Sequence, residues 1–223
     1  YFEKIGLNAV VMPLGVKPEA YGEVLRALAQ LTNFHGALVT MPHKVTTVAL
    51  VDEASTTAAI AGACNAIRRR DDGSLLGDLF DGEGFVRGLG RRGRQVAGSR
   101  ALVVGCGGVG SAIAASLAAA GADALTLFDR DAAAAEALAA RLRPHYPELE
   151  VIAGSRDPSG CDVVVNATPL GMKDGDPLPL EVEKLSPEAF VGEVVMKQEV
   201  TPFLAAARAR GCAVAIPIAC SAR

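Results

Sequence analysis

The residues with the plainest chemical reading lie near the middle of the chain, at Val104-Gly105-Cys106-Gly107-Gly108-Val109-Gly110-Ser111. Glycines at Gly105, Gly107 and Gly110 keep GxGxxG spacing, directly after an apolar strand-like run and directly before a helix-like one. In that pattern one glycine makes a tight turn, one lets backbone approach a pyrophosphate, and one allows close helix–strand packing. The N–H groups at the helix start then favour negative charge. Gly105, Gly107, Gly108, Val109 and Gly110 are therefore the candidate dinucleotide loop. A glycine-rich turn without a ligand is the bland alternative, and the strand-before, helix-after context favours the nucleotide. The next strand-like run ends in Leu127-Phe128-Asp129-Arg130-Asp131. An acidic residue there hydrogen-bonds ribose hydroxyls and repels a 2′-phosphate, so Asp129 and Asp131 favour NAD. Arg130 could pair with a phosphate and keeps NADP open, and Asp131 could instead cap the following helix.

The elements that would hold this loop alternate in type. Residues 101–104, 124–128, 149–152, 162–166, 191–195 and 213–216 read as strands, with helices at 109–120 and 132–142. Such alternation implies a parallel sheet covered by helices on both faces. The first half is less regular. Residues 8–13 form a β-branched, apolar run. Tyr21, Val24, Leu25, Leu28 and Leu31 follow helical spacing after Pro18. Residues 36–40 read as a short strand, Pro42 as the opening of a helix toward Leu50, and 63–68 with 74–78 as a hairpin about Asp72-Gly73. The glycine- and arginine-rich stretch 88–98 reads as a domain boundary, giving units 1–87 and 88–223.

Five blocks in order carry a resemblance: Val39-Thr40-Met41-Pro42-His43-Lys44, Gly62-Ala63-Cys64-Asn65-Ala66, Gly77-Asp78-Leu79-Phe80-Asp81-Gly82, Val165-Asn166-Ala167-Thr168-Pro169-Leu170-Gly171-Met172, and Thr201-Pro202-Phe203-Leu204. Together with the GxGxxG loop they resemble the shikimate dehydrogenase family over nearly the whole chain. The resemblance implies an α/β substrate-binding domain followed by a Rossmann, doubly wound parallel-sheet NAD(P) domain. It also implies NAD(P)-dependent oxidation of the C3 hydroxyl of shikimate, quinate or a related ring carboxylate. Lys44 and Asp81 would be the catalytic pair, and Thr40 and Asn65 would bind ring hydroxyls. Asn166, Thr168, Gly171 and Met172 would lie beside the nicotinamide. Without the family, Lys44 reads as a solvated lysine and Asp81 as a turn residue.

The chain departs from the family pattern at Leu38, at Leu79-Phe80 and at Met196, where polar residues are usual. Each swap is expected to remove a polar group from the pocket or its border, which bears on the substrate more than on the reaction. The family's first strand and its Ser-x-Ser loop would precede Tyr1, and a glutamine-bearing segment with a closing helix would follow Val214. Residues 216–223 match neither.

Composition excludes several classes. With 22 basic against 25 acidic residues and a net charge of −3, no basic excess suggests nucleic acid. Five scattered cysteines and three histidines form no CxxC or HExxH pattern, so no metal site is expected. No apolar run is long enough to span a bilayer, and no signal peptide is evident. A reducing, cytoplasmic setting and a small-molecule partner are expected, with oligomeric state left open. A non-catalytic NAD(H)-binding sensor or regulatory protein is the alternative, and retention of both Lys44 and Asp81 argues against it. A dehydrogenase of folates or amino acids is a third reading, against which the first two blocks count.

Overall fold

A computed structural model describes residues 2–215. The first sheet is built from β1 (Gly36–Leu38), β2 (Glu53–Ala54), β3 (Ala66–Arg69) and β4 (Leu75–Asp78), in the order β1-β3-β4-β2. β3 and β4 form the expected antiparallel hairpin, pairing Ala66 with Asp78, and β2 lies parallel to β4. Helices α1 (Tyr21–Ala29), α2 (Lys44–Val48) and α3 (Thr56–Ala61) surround this sheet. α1 buries Tyr21 and Leu25 against Val39, Ile67 and Leu75. It ends before Leu31, which is exposed, so the apolar stripe is one turn shorter than its spacing suggested. Residues 8–13 are not a strand. Val10, Val11 and Met12 are exposed, and no described strand hydrogen-bonds this run, so its composition alone does not make it sheet.

The second sheet contains β5 (Arg100–Val104), β6 (Ala124–Phe128), β7 (Glu150–Ala153), β8 (Val163–Asn166), β9 (Phe190–Glu193) and β10 (Ala213–Ala215). All its pairings are parallel, and the order β10-β9-β8-β5-β6-β7 is that of a doubly wound dinucleotide fold. α5 (Gly108–Ala119) and α6 (Ala132–Leu142) cover one face, closing a core of Val103, Ile113, Leu117, Leu125, Leu127 and Leu138. α7 (Pro202–Ala209) covers the other, where Leu102, Val164, Val191, Phe203 and Leu204 meet. The central strands β5, β6, β8 and β9 are largely buried on both faces, which explains their mostly apolar runs, while the edge strands β7 and β10 are partly exposed.

Three helices, α3, α4 (Asp81–Gly90) and α7, lie outside the elements expected from the sequence. α3 is capped by the Ser55 hydroxyl, which accepts from the Ala58 N–H, and stops at Gly62 with φ +67°. α4 runs into the stretch that read as a boundary. It survives its glycines because it packs along α5: Leu89 is buried in the core of the second sheet, and a Cβ on Gly82 would lie 2.1 Å from the Ala112 carbonyl oxygen. Further along, Phe85 lies against Gly192 of β9. Asp81 therefore starts a helix seated on the second sheet's own layer. Residues 216–223, including Cys220 and the last residue of the expected final strand, lie outside the described residues.

Candidate active site

Lys44 opens α2 just after the cis Met41–Pro42 bond, and Asp81 opens α4. The Lys44 Nζ donates to Asp81 Oδ2 at 2.6 Å, and Asn65 Nδ2 donates to Asp81 Oδ1 at 2.8 Å. Both members of the ion pair keep about a quarter of their side-chain surface open, at 25% and 29%. Asn65 also accepts from the Phe80 N–H at 3.0 Å, which fixes its amide orientation and leaves one N–H and one lone pair free. The carboxylate is thus held from both sides while the ammonium retains two N–H directions.

Lys44 is braced from behind. His43 stacks on Tyr21 with ring centroids 4.2 Å apart, and its Nε2 meets the Val16 carbonyl at 3.0 Å. The Tyr21 hydroxyl bonds Thr47 Oγ1, whose own hydroxyl donates to the His43 carbonyl. Thr40 is exposed just beyond the end of β1, two residues after exposed Leu38, and Val39 between them is turned into the core. Of the apolar departures, Leu38 (80% exposed), Phe80 (47%) and Met196 (68%) are open to solvent. Leu79 is not: at 2% exposure it packs with Ala58, Ala63, Cys64 and Ala112, so it is core and not pocket.

The glycine loop fits a dinucleotide. Gly105 has φ +102°, and a Cβ on Gly110 would lie within 1.8 Å of the Gly105 carbonyl oxygen, so both must be glycine. Around Gly107 and Gly108 nothing lies within 4 Å of where a methyl group would project, leaving the open backbone a diphosphate needs. No side chain caps α5, so its first N–H groups point outward uncommitted, with partly exposed Val109 beside them. Asp129 accepts from the Cys106 N–H at 2.7 Å and from the Asp131 N–H at 2.9 Å, which orients its carboxylate at the mouth of this loop. Asp131 caps α6 through the Ala133 N–H, and Arg130 is exposed. Burial and the Asp129 charge push the Cys106 thiol up to about 12.

Beyond β8 the residues of the fourth block play different parts. Gly171 is partly open with φ +104°, and Met172 is exposed. Asn166 is fully buried, which removes it as a direct contact for a nicotinamide ring. Its Oδ1 accepts from the Thr168 N–H at 3.1 Å and the Thr168 hydroxyl at 2.6 Å. Its Nδ2 donates to the Leu170 carbonyl at 3.1 Å and to Glu193 Oε2 at 3.2 Å. Thr168 Oγ1 in turn accepts from the Leu170 N–H. Two positions escaped the sequence reading: Gly82, signalled only by Asp-Gly, and Glu193, an acid inside the apolar run 191–195. Among the described residues no cluster suits a metal ion, and no helix is long and apolar enough to cross a membrane.

Known proteins bear on this arrangement. Residues 1–67 match the model of the shikimate dehydrogenase substrate binding domain, and residues 86–140 that of the ThiF family, the latter spanning β5, α5, β6 and most of α6. A shikimate dehydrogenase (NADP(+)) of Rubrobacter xylanophilus is 41% identical over 220 residues, covering 97% of this chain and 77% of that protein. The structure of Listeria monocytogenes shikimate 5-dehydrogenase in complex with shikimate and NAD superposes with a TM-score of 0.86 at 27% identity, over 96% of this chain and 78% of that one. The ligand-free 5-ketofructose reductase of Gluconobacter sp. strain CHM43 gives 0.82 at 31% identity, with the same coverages of 96% and 78%. The chain belongs to the shikimate dehydrogenase family and is a nicotinamide-dependent oxidoreductase.

Proposed function

We propose that this protein interconverts the C3 hydroxyl of shikimate, or of a quinate-like ring carboxylate, with the 3-dehydro ketone, using NAD in preference to NADP. The observation that carries this reading is the Lys44–Asp81–Asn65 constellation. A bound nicotinamide supplies or accepts the hydride. In the reducing direction Lys44 donates a proton from Nζ to the forming alkoxide, and in the oxidising direction it takes that proton back. Asp81 holds the ammonium in place and balances its charge. The free N–H and lone pair of Asn65, with the Thr40 hydroxyl, address neighbouring ring hydroxyls. Gly107, Gly108 and the start of α5 bind the diphosphate, and Gly171 and Met172 border the nicotinamide.

The preference for NAD rests on Asp129. Its carboxylate is fixed at the loop mouth by two backbone N–H groups, the position from which an acid at the end of the second strand meets an adenosine ribose. A 2′-phosphate there would meet two carboxylates, Asp129 and Asp131, against the single cation of Arg130. The Rubrobacter relative bears NADP(+) in its name while the Listeria structure holds NAD, so the family accommodates both. Leu38 and Phe80, which precede Val39-Thr40 and Asp81, expose apolar side chains where polar ones are usual, so less hydroxylated ring carboxylates belong in the assay beside shikimate and quinate. The test is reduced-cofactor formation, followed by absorbance, with each acid and each cofactor. Turnover favouring NAD is expected; a preference for NADP of about tenfold overturns the cofactor assignment, and no turnover with any ring carboxylate overturns the substrate.

A further inference from the structure

Glu193 ends β9 directly opposite Asn166 at the end of β8, on the carboxyl edge of the sheet to which the proposed function assigns the dinucleotide. Its neighbours along both strands are apolar: Val163, Val164 and Val165 on one, Phe190 and Val191 on the other. The residue is 3% exposed, and its Oε1 has no hydrogen-bond partner. A carboxyl buried so incompletely satisfied is destabilising unless it serves a purpose that an apolar side chain could not.

That purpose is visible in the amide of Asn166. All four of its hydrogen-bonding positions are filled: Leu170 and Glu193 take its two N–H groups, and the Thr168 N–H and hydroxyl take its two lone pairs. An amide has two flipped orientations of nearly identical shape. Only the orientation with the NH2 toward β9 leaves Oδ1 facing Thr168. Glu193 and the Leu170 carbonyl are the acceptors that select it, and Glu193 is the one supplied by a side chain. In the flipped form the Thr168 N–H would face an NH2 group and lose its acceptor, and the Thr168 hydroxyl would have to turn from donor to acceptor, loosening the turn from Ala167 to Gly171 over β8. Thr201, which caps α7, lies beside the same carboxyl.

We propose that Glu193 is a positioning residue for the nicotinamide end of the site, acting through the orientation of Asn166 on the loop from Ala167 to Met172. This rests on the proposed placement of that loop beside the nicotinamide. Glu193 touches neither cofactor nor substrate. What it supplies is an acceptor, so glutamine, which can turn its carbonyl toward Asn166, should replace it and alanine should not.

The experiment compares wild type, Glu193→Gln and Glu193→Ala in binding NADH and ADP-ribose, which lacks the nicotinamide, together with kcat. Glu193→Ala is expected to lose roughly tenfold or more in NADH affinity or kcat. Its ADP-ribose affinity should stay within about twofold of wild type, and Glu193→Gln should match wild type on every measure. A purely structural role would weaken both ligands together, and that result overturns the proposal, as does an alanine variant that behaves like wild type. Should alanine prevent folding, Glu193→Leu fills the volume without the acceptor and is held to the same criteria. If wild type itself binds ADP-ribose as tightly as NADH, the placement of the nicotinamide at this loop fails, and the proposal falls with it.

Discussion

Gly82 sits where α4 crosses α5, one residue after the aspartate that pairs with Lys44. A methyl group there would lie 2.1 Å from the Ala112 carbonyl oxygen and 2.5 Å from Ser116 Oγ. The first contact is to backbone, which cannot rotate away as a side-chain end could, so relief requires the helices to part by about 1 Å. Asp81 would move with the start of α4. Its 2.6 Å contact with Lys44 would then stretch to a separation at which the hydrogen bond is largely lost. A displacement of about 1 Å in a reacting constellation lowers kcat/KM by roughly 100-fold, equivalent to about 2.7 kcal/mol of transition-state stabilisation. Stability should fall by only ~1–3 kcal/mol through overpacking, partly offset by alanine's better helix propensity of about 1 kcal/mol. The assay is kcat/KM for Gly82→Ala beside Gly84→Ala, where nothing lies within 4 Å of the added methyl. The Gly84 variant should keep full activity and gain stability. If Gly82→Ala folds and keeps kcat/KM within about threefold of wild type, α4 does not set the geometry of the pair.

Other expectations follow from the same structure. Asp129→Asn keeps an oxygen for the Cys106 N–H but removes the charge, so the ratio of NADP to NAD efficiency should rise by roughly tenfold or more, measured as kcat/KM with each cofactor; an unchanged ratio would remove Asp129 as the selector. Cys106, with its thiol near 12, should be alkylated by iodoacetamide at mildly alkaline pH roughly a thousandfold more slowly in the native protein than in urea. Peptide mass mapping reads this, and equal rates would contradict the buried loop cysteine. Burial raises the Glu193 carboxyl above its ordinary 4.5 against the opposing influence of neighbouring Thr201 and Asn166. Between that ordinary value and the raised one the folded state binds more protons than the unfolded, so stability declines as pH rises through this window. Urea midpoints should therefore fall with pH more steeply in wild type than in Glu193→Gln, and parallel curves would refute it.

The cofactor sheet was legible because its signals agree across levels. An apolar run, a GxGxxG turn and an alanine-rich segment each state the same fold locally, and β5, α5, β6 and α6 fall within a residue of the expected bounds. The first half is harder to read. α4 carries glycines at 82, 84, 88 and 90, a composition that argues against helix, and only its packing against α5 and β9 overrides propensity. Residues 8–13 have the composition of a strand, but a strand exists only where another edge meets it. The pairing of Lys44 with Asp81 joins positions that no spacing rule connects, so the resemblance supplied it and the fold places the two side chains in contact. Asn166 shows the reverse case. Its block pointed to the cofactor edge, but burial decides whether a polar side chain meets a ligand or orders the loop that does, and burial is a property of the tertiary structure.

Proton transfer through Lys44 is tested most directly by Lys44→Ala, measured for kcat with shikimate and separately for cofactor affinity. A fall in kcat of at least ~10²-fold with NADH affinity unchanged is the expected result, because the proposed mechanism sets the lysine against the reacting oxygen and not the dinucleotide. A variant that retains kcat within about threefold of wild type would contradict it and move the proton chemistry to another group.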